Sequence, residues 1–176
     1  SRLTQLINNI LDFSKIEAGR REYQFEVADA GQIVEEVIRT YEYPIRNDGF
    51  DLRVHIEQNL PPVRVDRGAI SQAVLNLLNN AVKYSDSVKR IDVSVPSESA
   101  QILIDVADQG IGIPASEQTR VFDKFYRIST GLVHDRKGTG LGLTLVKHIV
   151  DAHRGAVRLT SVPGKGSRFT IELPAI

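Results

Sequence analysis

The sequence predicts an α+β fold, a two-layer α/β sandwich in which a mixed sheet is covered on one face by helices and preceded by one further helix. Two observations support it. The strand-like segments alternate apolar and polar residues, which is typical of a sheet with one buried and one solvated face. The longer segments between them carry apolar residues at helical spacing, so each has one side suited to covering the sheet.

The first predicted element is a helix over residues 1–18 that ends at Gly19. Its apolar residues recur at helical spacing: Leu3, Leu6, Ile7, Ile10 and Leu11. This stripe is broad for a terminal helix, and it indicates packing against another helix or another chain. Periodicity alone is equally compatible with a helix that lies on its own domain. We treat 1–20 as separate from a domain over 21–176.

The other elements follow in chain order. A strand over 23–27 precedes a helix that Asp29 caps and that Pro44 and Gly49 end. Next come strands over 50–57 and 63–65, a helix over 67–84, strands over 91–95 and 102–106, and the turn 96–100 between them. A short helix over 114–125, a loop over 126–139 and a helix over 140–153 lead into strands 156–162 and 167–173.

The composition restricts the possible partners. Of the 176 residues, 41% are hydrophobic and 25% are charged, and the net charge is zero. We therefore expect neither nucleic acid nor a membrane surface as a partner. The absence of cysteine excludes disulfides and thiolate metal sites. No apolar run approaches the roughly 20 residues that a membrane span needs. Because the chain has no methionine either, we interpret it as part of a longer protein.

The helix over 67–84 carries the clearest polar signal. Its polar residues fall on one side: Gln72, Asn76, Asn79, Asn80 and Lys83. Its apolar residues fall on the other: Val74, Leu77, Leu78, Ala81 and Val82. A solvated face normally carries Glu, Lys and Arg, whereas asparagine is a poor helix former, so a binding site is favoured. Amide oxygens suit Mg²⁺, and a lysine can contact phosphate.

A carboxylate beside a glycine turn forms the second candidate site. Asp108 ends an alternating strand and precedes Gly110 and Gly112. There it can accept a hydrogen bond from the exocyclic amine of adenine, while the glycines let the backbone approach the ring. The alternative is a turn that uses an aspartate for local hydrogen bonding.

A third glycine-rich segment runs into a helix. Gly138, Gly140 and Gly142 precede it, so free backbone N–H groups and the helix dipole can bind phosphate. A dinucleotide-binding motif would instead follow the first strand of a βαβ unit. The preceding loop carries three candidate phosphate contacts, Arg127, Arg136 and Lys137. For Arg127 and Lys137 the alternative is an ordinary solvated charge. Gly164 and Gly166 are interpreted as a hairpin turn.

Four segments, in this order, resemble the N, G1, G2 and G3 boxes of the catalytic ATP-binding domain of sensor histidine kinases. They are 76–84, 108–114, 138–143 and 164–167. That family belongs to the group that includes gyrase, Hsp90 and MutL. Residues 11–19 also look like the end of the second helix of the dimerisation and phosphotransfer domain. The resemblance implies a Bergerat-type ATP-binding domain over 21–176 and a partial dimerisation helix over 1–20.

The resemblance also implies roles for single residues. Asn76 and Asn80 would bind Mg²⁺, Lys83 would contact phosphate, Tyr84 would lie near the nucleotide and Asp108 would read adenine. The full implied ATP-binding set is Asn76, Asn80, Lys83, Tyr84, Asp108, Gly110, Gly112, Ile113, Arg136, Gly138, Thr139, Gly140, Leu141 and Gly142. Phe122 and Phe125 resemble the F box, and core packing explains them equally well.

The implied activity is that of a protein histidine kinase in two-component signal transduction. The domain would present the γ-phosphate of Mg-ATP to a histidine outside this chain, for transfer to the receiver domain of a response regulator. The phosphoacceptor histidine would lie before Ser1. We interpret the chain's own histidines as structural or exposed and expect no self-phosphorylation: His55, His134, His148 and His153.

Two other functions stay open. One is an ATPase of the gyrase, Hsp90 or MutL type, and the other is a non-catalytic ATP-sensing module. The hydrolases carry a glutamate where this chain has Asn76, so slow hydrolysis is expected. We further expect the full-length protein to be a homodimer through the N-terminal helix. This chain would be a cytoplasmic domain of a bacterial sensor kinase, soluble or membrane-anchored, with no membrane contact of its own.

Overall fold

The computed structural model describes residues 2–124, 126 and 140–176. The helices in this part of the chain are α1 (Arg2–Glu17), α2 (Ala30–Asn47), α3 (Arg67–Tyr84) and α4 (Gly142–Ala152). The strands are β1 (Glu26–Ala28), β2 (Asp51–Ile56), β3 (Val63–Val65), β4 (Arg90–Val95), β5 (Ser97–Glu98), β6 (Gln101–Asp108), β7 (Ala156–Val162) and β8 (Gly166–Pro174).

The main sheet is mixed, as the sequence predicts. Its strand order is β2-β4-β6-β8-β7, and the short β5 pairs with β6. β2 and β4 are parallel, while the other neighbours are antiparallel. β1 and β3 form a separate antiparallel pair. The carboxyl end of the central strand β6 thus lies beside the β7–β8 hairpin, which places Asp108 next to the turn at 163–166.

One face of the sheet is buried under helices and the other is solvated. Alternate residues of the central strands point into the core and are buried: Ile91, Val93, Val95, Ile102, Ile104, Val106, Phe169, Ile171 and Leu173. The intervening positions carry polar pairs, such as Arg90 with Asp92 and Arg158 with Glu172. The two-layer α+β architecture that the alternation predicts is therefore confirmed.

Pro44 does not end its helix, contrary to the sequence prediction. α2 continues to Asn47, with Pro44 in its last turns. The proline removes one backbone hydrogen bond, the one to the carbonyl of Thr40 in the preceding turn. The residues after it are held by tertiary contacts, since Ile45 is buried and Arg46 Nη2 donates to Leu52 O at 2.7 Å. The end comes at Asp48 and Gly49, whose N–H groups donate to Pro44 O at 3.1 Å and Arg46 O at 3.0 Å. Gly49 has a φ of 91°, which favours glycine.

A helix is predicted over 114–125, but its described part, 114–124, is a series of turns. The N–H groups of Glu117, Arg120 and Asp123 donate to carbonyls three residues earlier, at 2.9–3.0 Å. The segment is held in place by tertiary contacts that the local pattern of apolar residues does not show. Gln118 Nε2 donates to Ile113 O and Ser161 O, and the Phe122 ring lies edge-on to Phe169 with centroids 6.1 Å apart.

One strand and one turn also show larger departures from the prediction. The strand predicted over 23–27 begins only at Glu26, because Tyr23 and Phe25 pack against the ring of His153 before the pairing with β3 starts. The predicted turn 96–100 contains β5, and the reversal falls on Ser99 and Ala100, whose φ angles are 52° and 63°.

α1 lies on the domain through its polar side and turns its apolar side outward. Leu3 and Leu11 are 67% and 55% exposed, and Ile7 and Ile10 are also exposed. Both interpretations of the stripe therefore have a counterpart in the structure: the helix packs on its own domain, and its apolar face remains available to another helix. Among the described residues, no helix combines the length and hydropathy needed to cross a bilayer.

Candidate functional site

The amide residues predicted to bind metal lie on α3, which is held in place by its apolar side. Asp66 caps the helix by accepting a hydrogen bond from Ala69 N at 2.9 Å. Asn76 and Asn80 are one helical turn apart; Asn76 is 4% exposed and Asn80 is half-buried. Lys83 Nζ lies 5.0 Å from the centroid of the Tyr84 ring. The helix thus presents two amides, a cation and a ring along one edge.

The start of α4 meets this edge of α3. A Cβ added to Gly142 would lie 4.0 Å from Cγ of Asn76, so the first turn of α4 faces that amide. Leu141 is buried at the N-cap position and makes no side-chain capping hydrogen bond. Gly140 just before it has a φ of 74°. The N-terminus of a helix attracts anions through its first backbone N–H groups and the helix dipole, so phosphate binding is chemically suited to this position.

Asp108 is buried, and its carboxylate is held in one orientation. Gly110 N donates to Oδ1 at 2.9 Å, and Ser167 N donates to the same oxygen at 3.2 Å. Burial raises the pKa of Asp108, and these two hydrogen bonds partly offset the rise. Among the described residues both hydrogen bonds to this carboxylate reach Oδ1, which leaves Oδ2 to accept from a ligand.

The glycines around Asp108 are required by contacts between main chains. A Cβ on Gly110 would lie 2.0 Å from Tyr84 O, and one on Gly112 would lie 2.2 Å from Val162 O. A Cβ on Gly166 would lie 2.1 Å from Asp108 O. The sequence interpretation, that glycine lets the backbone approach the adenine ring, misses this cause. The glycines bring β6, the end of α3 and the β7–β8 hairpin into direct contact.

Two serines that the sequence analysis did not select join these segments. Ser161 Oγ accepts from Ile113 N at 2.7 Å and donates to Gly166 O at 3.0 Å. It also lies 2.8 Å from Ser167 Oγ. The backbone N–H of Ser167 in turn donates to Asp108. A serine in an alternating strand is typical of a solvated position. The available signal was that Ser161 and Ser167 flank a predicted hairpin turn. Their pairing across the two strands is known only from the structure.

The polar face of α3 is covered by α1, which the sequence analysis did not predict. Gln5 Nε2 and Asn9 Nδ2 both donate to Asn76 Oδ1, at 2.9 and 3.3 Å. Asn79 Nδ2 donates to Gln5 Oε1. Further along α1, Asp12 Oδ2 accepts from Gln72 Nε2 at 2.5 Å. The detectable signal was a polar stripe at positions 5, 9 and 12, which share one side of a helix.

His153 is the buried histidine among those described, and its contacts are structural. Its Nδ1 lies 2.6 Å from Ile149 O, and its Nε2 accepts from Asp66 N at 3.0 Å, which requires a neutral ring with the proton on Nδ1. Burial lowers the pKa of His153. His55 and His148 are exposed. These placements agree with the interpretation of all three as structural or solvent-exposed.

Several candidate residues lie outside the described part of the chain. They are Phe125, Arg127, His134, Arg136, Lys137, Gly138 and Thr139. Within the described ranges, no group of three or more His, Asp or Glu side chains is placed to hold a metal. A metal at the α3 edge would therefore depend on amide oxygens and on oxygens of the ligand itself.

Comparison with known proteins places this geometry in a family. The model for the "Histidine kinase-, DNA gyrase B-, and HSP90-like ATPase" family matches residues 65–176. The circadian input-output histidine kinase CikA of Synechococcus elongatus is 35% identical over 98% of this chain and 23% of its own length. The sensor-like histidine kinase SenX3 of Mycolicibacterium smegmatis is 33% identical over 98% of this chain and 45% of its own length.

Solved structures show the same fold. Full-length ShkA, crystallised in complex with AMPPNP, superposes with a TM-score of 0.83 at 26% identity, covering 99% of this chain and 36% of that one. The nucleotide-free catalytic domain of histidine kinase ThkA gives 0.74 at 25% identity, covering 86% of this chain and 96% of that one. The chain spans less than half the length of either curated relative.

Proposed function

The chain belongs to the family of histidine kinase-, DNA gyrase B- and HSP90-like ATPases, and from this premise we propose that it is the catalytic ATP-binding domain of a sensor histidine kinase. In this proposal it positions the γ-phosphate of Mg-ATP for attack by a histidine outside this chain. The phosphoryl group then passes to an aspartate on the receiver domain of a response regulator.

One observation carries the proposal: a buried carboxylate, a pair of amides and a helix N-terminus converge on the edge of α3. Gly110, beside Asp108, packs on the carbonyl of Tyr84, the last residue of α3, while Gly142 at the start of α4 packs toward Asn76. A ligand with an adenine at one end and phosphates at the other matches this order of groups. Adenine is suited to the carboxylate end because its exocyclic amine donates a hydrogen bond that Asp108 Oδ2 can accept.

Each residue has a distinct task in binding. Gly110 and Ser167 orient the Asp108 carboxylate through their N–H groups, while buried Ile113 adds apolar surface to the adenine end. The first turn of α4 would receive phosphate oxygens on its backbone N–H groups. Lys83 would add a positive charge near the phosphates. Arg136, Gly138 and Thr139 remain candidates from the sequence alone.

The donor set on α3 fits Mg²⁺. Asn76 and Asn80 offer neutral amide oxygens one turn apart, and Mg²⁺ accepts such oxygens together with waters and nucleotide phosphates. When bound, the ion would offset charge that develops on the transferred phosphoryl group. Asn76 and Asn80 are therefore the proposed metal ligands. Neither amide accepts a proton from water at neutral pH, so these residues give no general base for hydrolysis.

The boundary between two functional parts is also proposed here. Residues 1–20, including α1, would belong to the dimerisation and phosphotransfer domain, and 21–176 to the ATP-binding domain. The exposed apolar residues Leu3, Ile7, Ile10 and Leu11 support this division, because they form a face suited to a partner helix in a homodimer. The whole would act as a cytoplasmic signalling module in a two-component system.

Two measurements test the proposal against its alternatives. Calorimetric titration with ADP and ATP, with and without Mg²⁺, should show binding in each case and tighter binding of ATP with the metal; no binding would exclude a nucleotide site. The chain should then be mixed with γ-labelled ATP and a protein that supplies the phosphoacceptor helix. Label on that histidine supports a kinase, steady phosphate release supports a hydrolase, and binding alone supports a sensing module.

A further inference from the structure

The contact between α1 and α3 occupies a side chain that the proposed function needs. Asn76 Oδ1 accepts one hydrogen bond from Gln5 Nε2 at 2.9 Å and a second from Asn9 Nδ2 at 3.3 Å. An amide oxygen has two lone pairs, so these two donors use its accepting capacity. An oxygen in this state has no lone pair left for a metal ion.

Asn76 is also shielded from solvent, in addition to having both lone pairs of its Oδ1 occupied. Its side chain is 4% exposed, and Asn9, which lies above it, is 6% exposed. Asn79 is drawn into the same cluster because its Nδ2 donates to Gln5 Oε1. Asn80, one turn further along α3, is only half-buried. With α1 seated, the two proposed metal ligands therefore differ sharply in availability.

From this geometry we infer that Gln5 and Asn9 are positioning residues that withhold Asn76 from the metal of a bound nucleotide. Seating of α1 and full coordination of Mg-ATP are then mutually exclusive. A nucleotide with its metal competes with α1 for one oxygen atom, whereas a nucleotide without metal does not. This inference rests on the proposed function, because it assigns Asn76 to the metal.

The α1–α3 contact is incompletely hydrogen-bonded. Asn76 Nδ2 and Asn9 Oδ1 are both buried, and neither has a hydrogen-bond partner among the residues that the structure describes. A buried donor and a buried acceptor left unpaired lower the stability of the contact. A second attachment lies further along α1, where Asp12 accepts from Gln72 and pairs with Arg21 at 3.3 Å. In the proposed competition, the N-terminal half of α1 moves away from Asn76 while Asp12 keeps its contacts with Gln72 and Arg21.

Competition between α1 and the metal for Asn76 changes the affinity for Mg-ATP by a measurable amount. If Asn76 is free in only a fraction of molecules, the apparent affinity for Mg-ATP is reduced by that fraction. Removing one donor raises the fraction. Loss of one neutral hydrogen bond corresponds to about a threefold to tenfold change in an equilibrium constant. Affinity for ATP in EDTA should stay the same, since adenine binding does not use Asn76.

The experiment compares the parent with Gln5→Ala, Asn9→Ala and the control Asn8→Ala. Asn8 is the adjacent asparagine on α1 and is exposed, so its substitution leaves the Asn76 contacts in place. Calorimetric titrations with ATP are run in Mg²⁺ and in EDTA. The ratio of the two affinities is expected to rise by about threefold to tenfold for Gln5→Ala and Asn9→Ala and to stay unchanged for Asn8→Ala. Melting temperatures confirm that all variants are folded.

A second readout uses the unaltered protein and no catalytic activity. Amide hydrogen exchange of residues 3–12 is measured without ligand, with ATP in EDTA and with Mg-ATP. Faster exchange with Mg-ATP alone supports competition for Asn76. Equal exchange in all three states overturns the inference, even if Asn9→Ala fails to fold. If Asn9→Ala fails to fold, Gln5→Ala still tests the inference, because Gln5 is only half-buried and its replacement disturbs the packing less.

The outcomes separate the two proposals. If the parent binds ATP but the ratio of affinities is the same in parent, Gln5→Ala and Asn9→Ala, the inference is wrong and the proposed function stands. If no variant binds adenine nucleotide in either buffer, the proposed function fails and the inference fails with it.

Discussion

Replacing Asp108 with asparagine tests the adenine site with little disturbance of the fold. The two N–H groups of Gly110 and Ser167 converge on Oδ1, and an asparagine can keep its single oxygen there. Its Nδ2 then stands where Oδ2 was and presents a donor to the exocyclic amine of adenine. Loss of this charge-assisted acceptor should weaken nucleotide binding by about 1–3 kcal/mol, or roughly fivefold to 150-fold.

The assay is calorimetric titration with ADP in EDTA, which isolates the base from metal effects. Asp105→Asn is the matched control, because Asp105 is also a buried aspartate on the same strand and accepts hydrogen bonds from Ser94 and Thr170 on the sheet face opposite the helices. The control should bind ADP like the parent. If Asp108→Asn binds ADP normally while its melting temperature falls sharply, Asp108 serves only to hold the turn, and the assignment to adenine is refuted.

Three further outcomes are expected. Asn80→Ala should lose the Mg²⁺-dependent part of ATP affinity and keep ADP binding in EDTA; unchanged affinity for Mg-ATP would remove Asn80 from the metal site. Incubation of the chain alone with γ-labelled ATP should leave it unlabelled, and acid-labile label on any of its histidines would contradict this. Because burial lowers the pKa of His153, the unfolded state takes up the proton first as the pH falls below about 6.5. Stability should therefore decline on acidification by up to about 1.4 kcal/mol per pH unit until the lower folded-state pKa is reached. Denaturant titrations at several pH values measure this. His153→Gln should flatten the decline while the exposed control His55→Gln retains it, and an equal decline in both variants would show that another group is responsible.

Much of the fold could be predicted because its elements are amphipathic. α3 has its predicted bounds, since Asp66 provides a cap and apolar residues repeat on one side. The prediction failed where tertiary contacts outweigh local preference. α2 continues past Pro44 because Ile45 is buried and Arg46 donates to Leu52 O. Residues 114–124 form turns, in which Gln118 donates to both Ile113 O and Ser161 O.

The candidate site was predictable in its residue types and less so in its contacts. Asparagines on one side of α3 and Asp108 before two glycines suggested a nucleotide, and the family comparison agrees. The cover that α1 provides over Asn76 could not be read from periodicity, because a polar stripe is equally compatible with solvent. The role of Ser161 depends on the register of β7 with β8, which the sequence does not show.

The main-chain contacts at Gly110, Gly112 and Gly166 have a consequence for the order in which the protein folds. They join β6 and the segment after it to the end of α3 and to the last hairpin, elements far apart along the chain. Closing such long loops is slow. The contacts at these glycines stabilise the chain only after the β7–β8 hairpin has docked. The nucleotide pocket should then be absent from the folding transition state. ADP would accordingly slow unfolding and leave the folding rate almost unchanged.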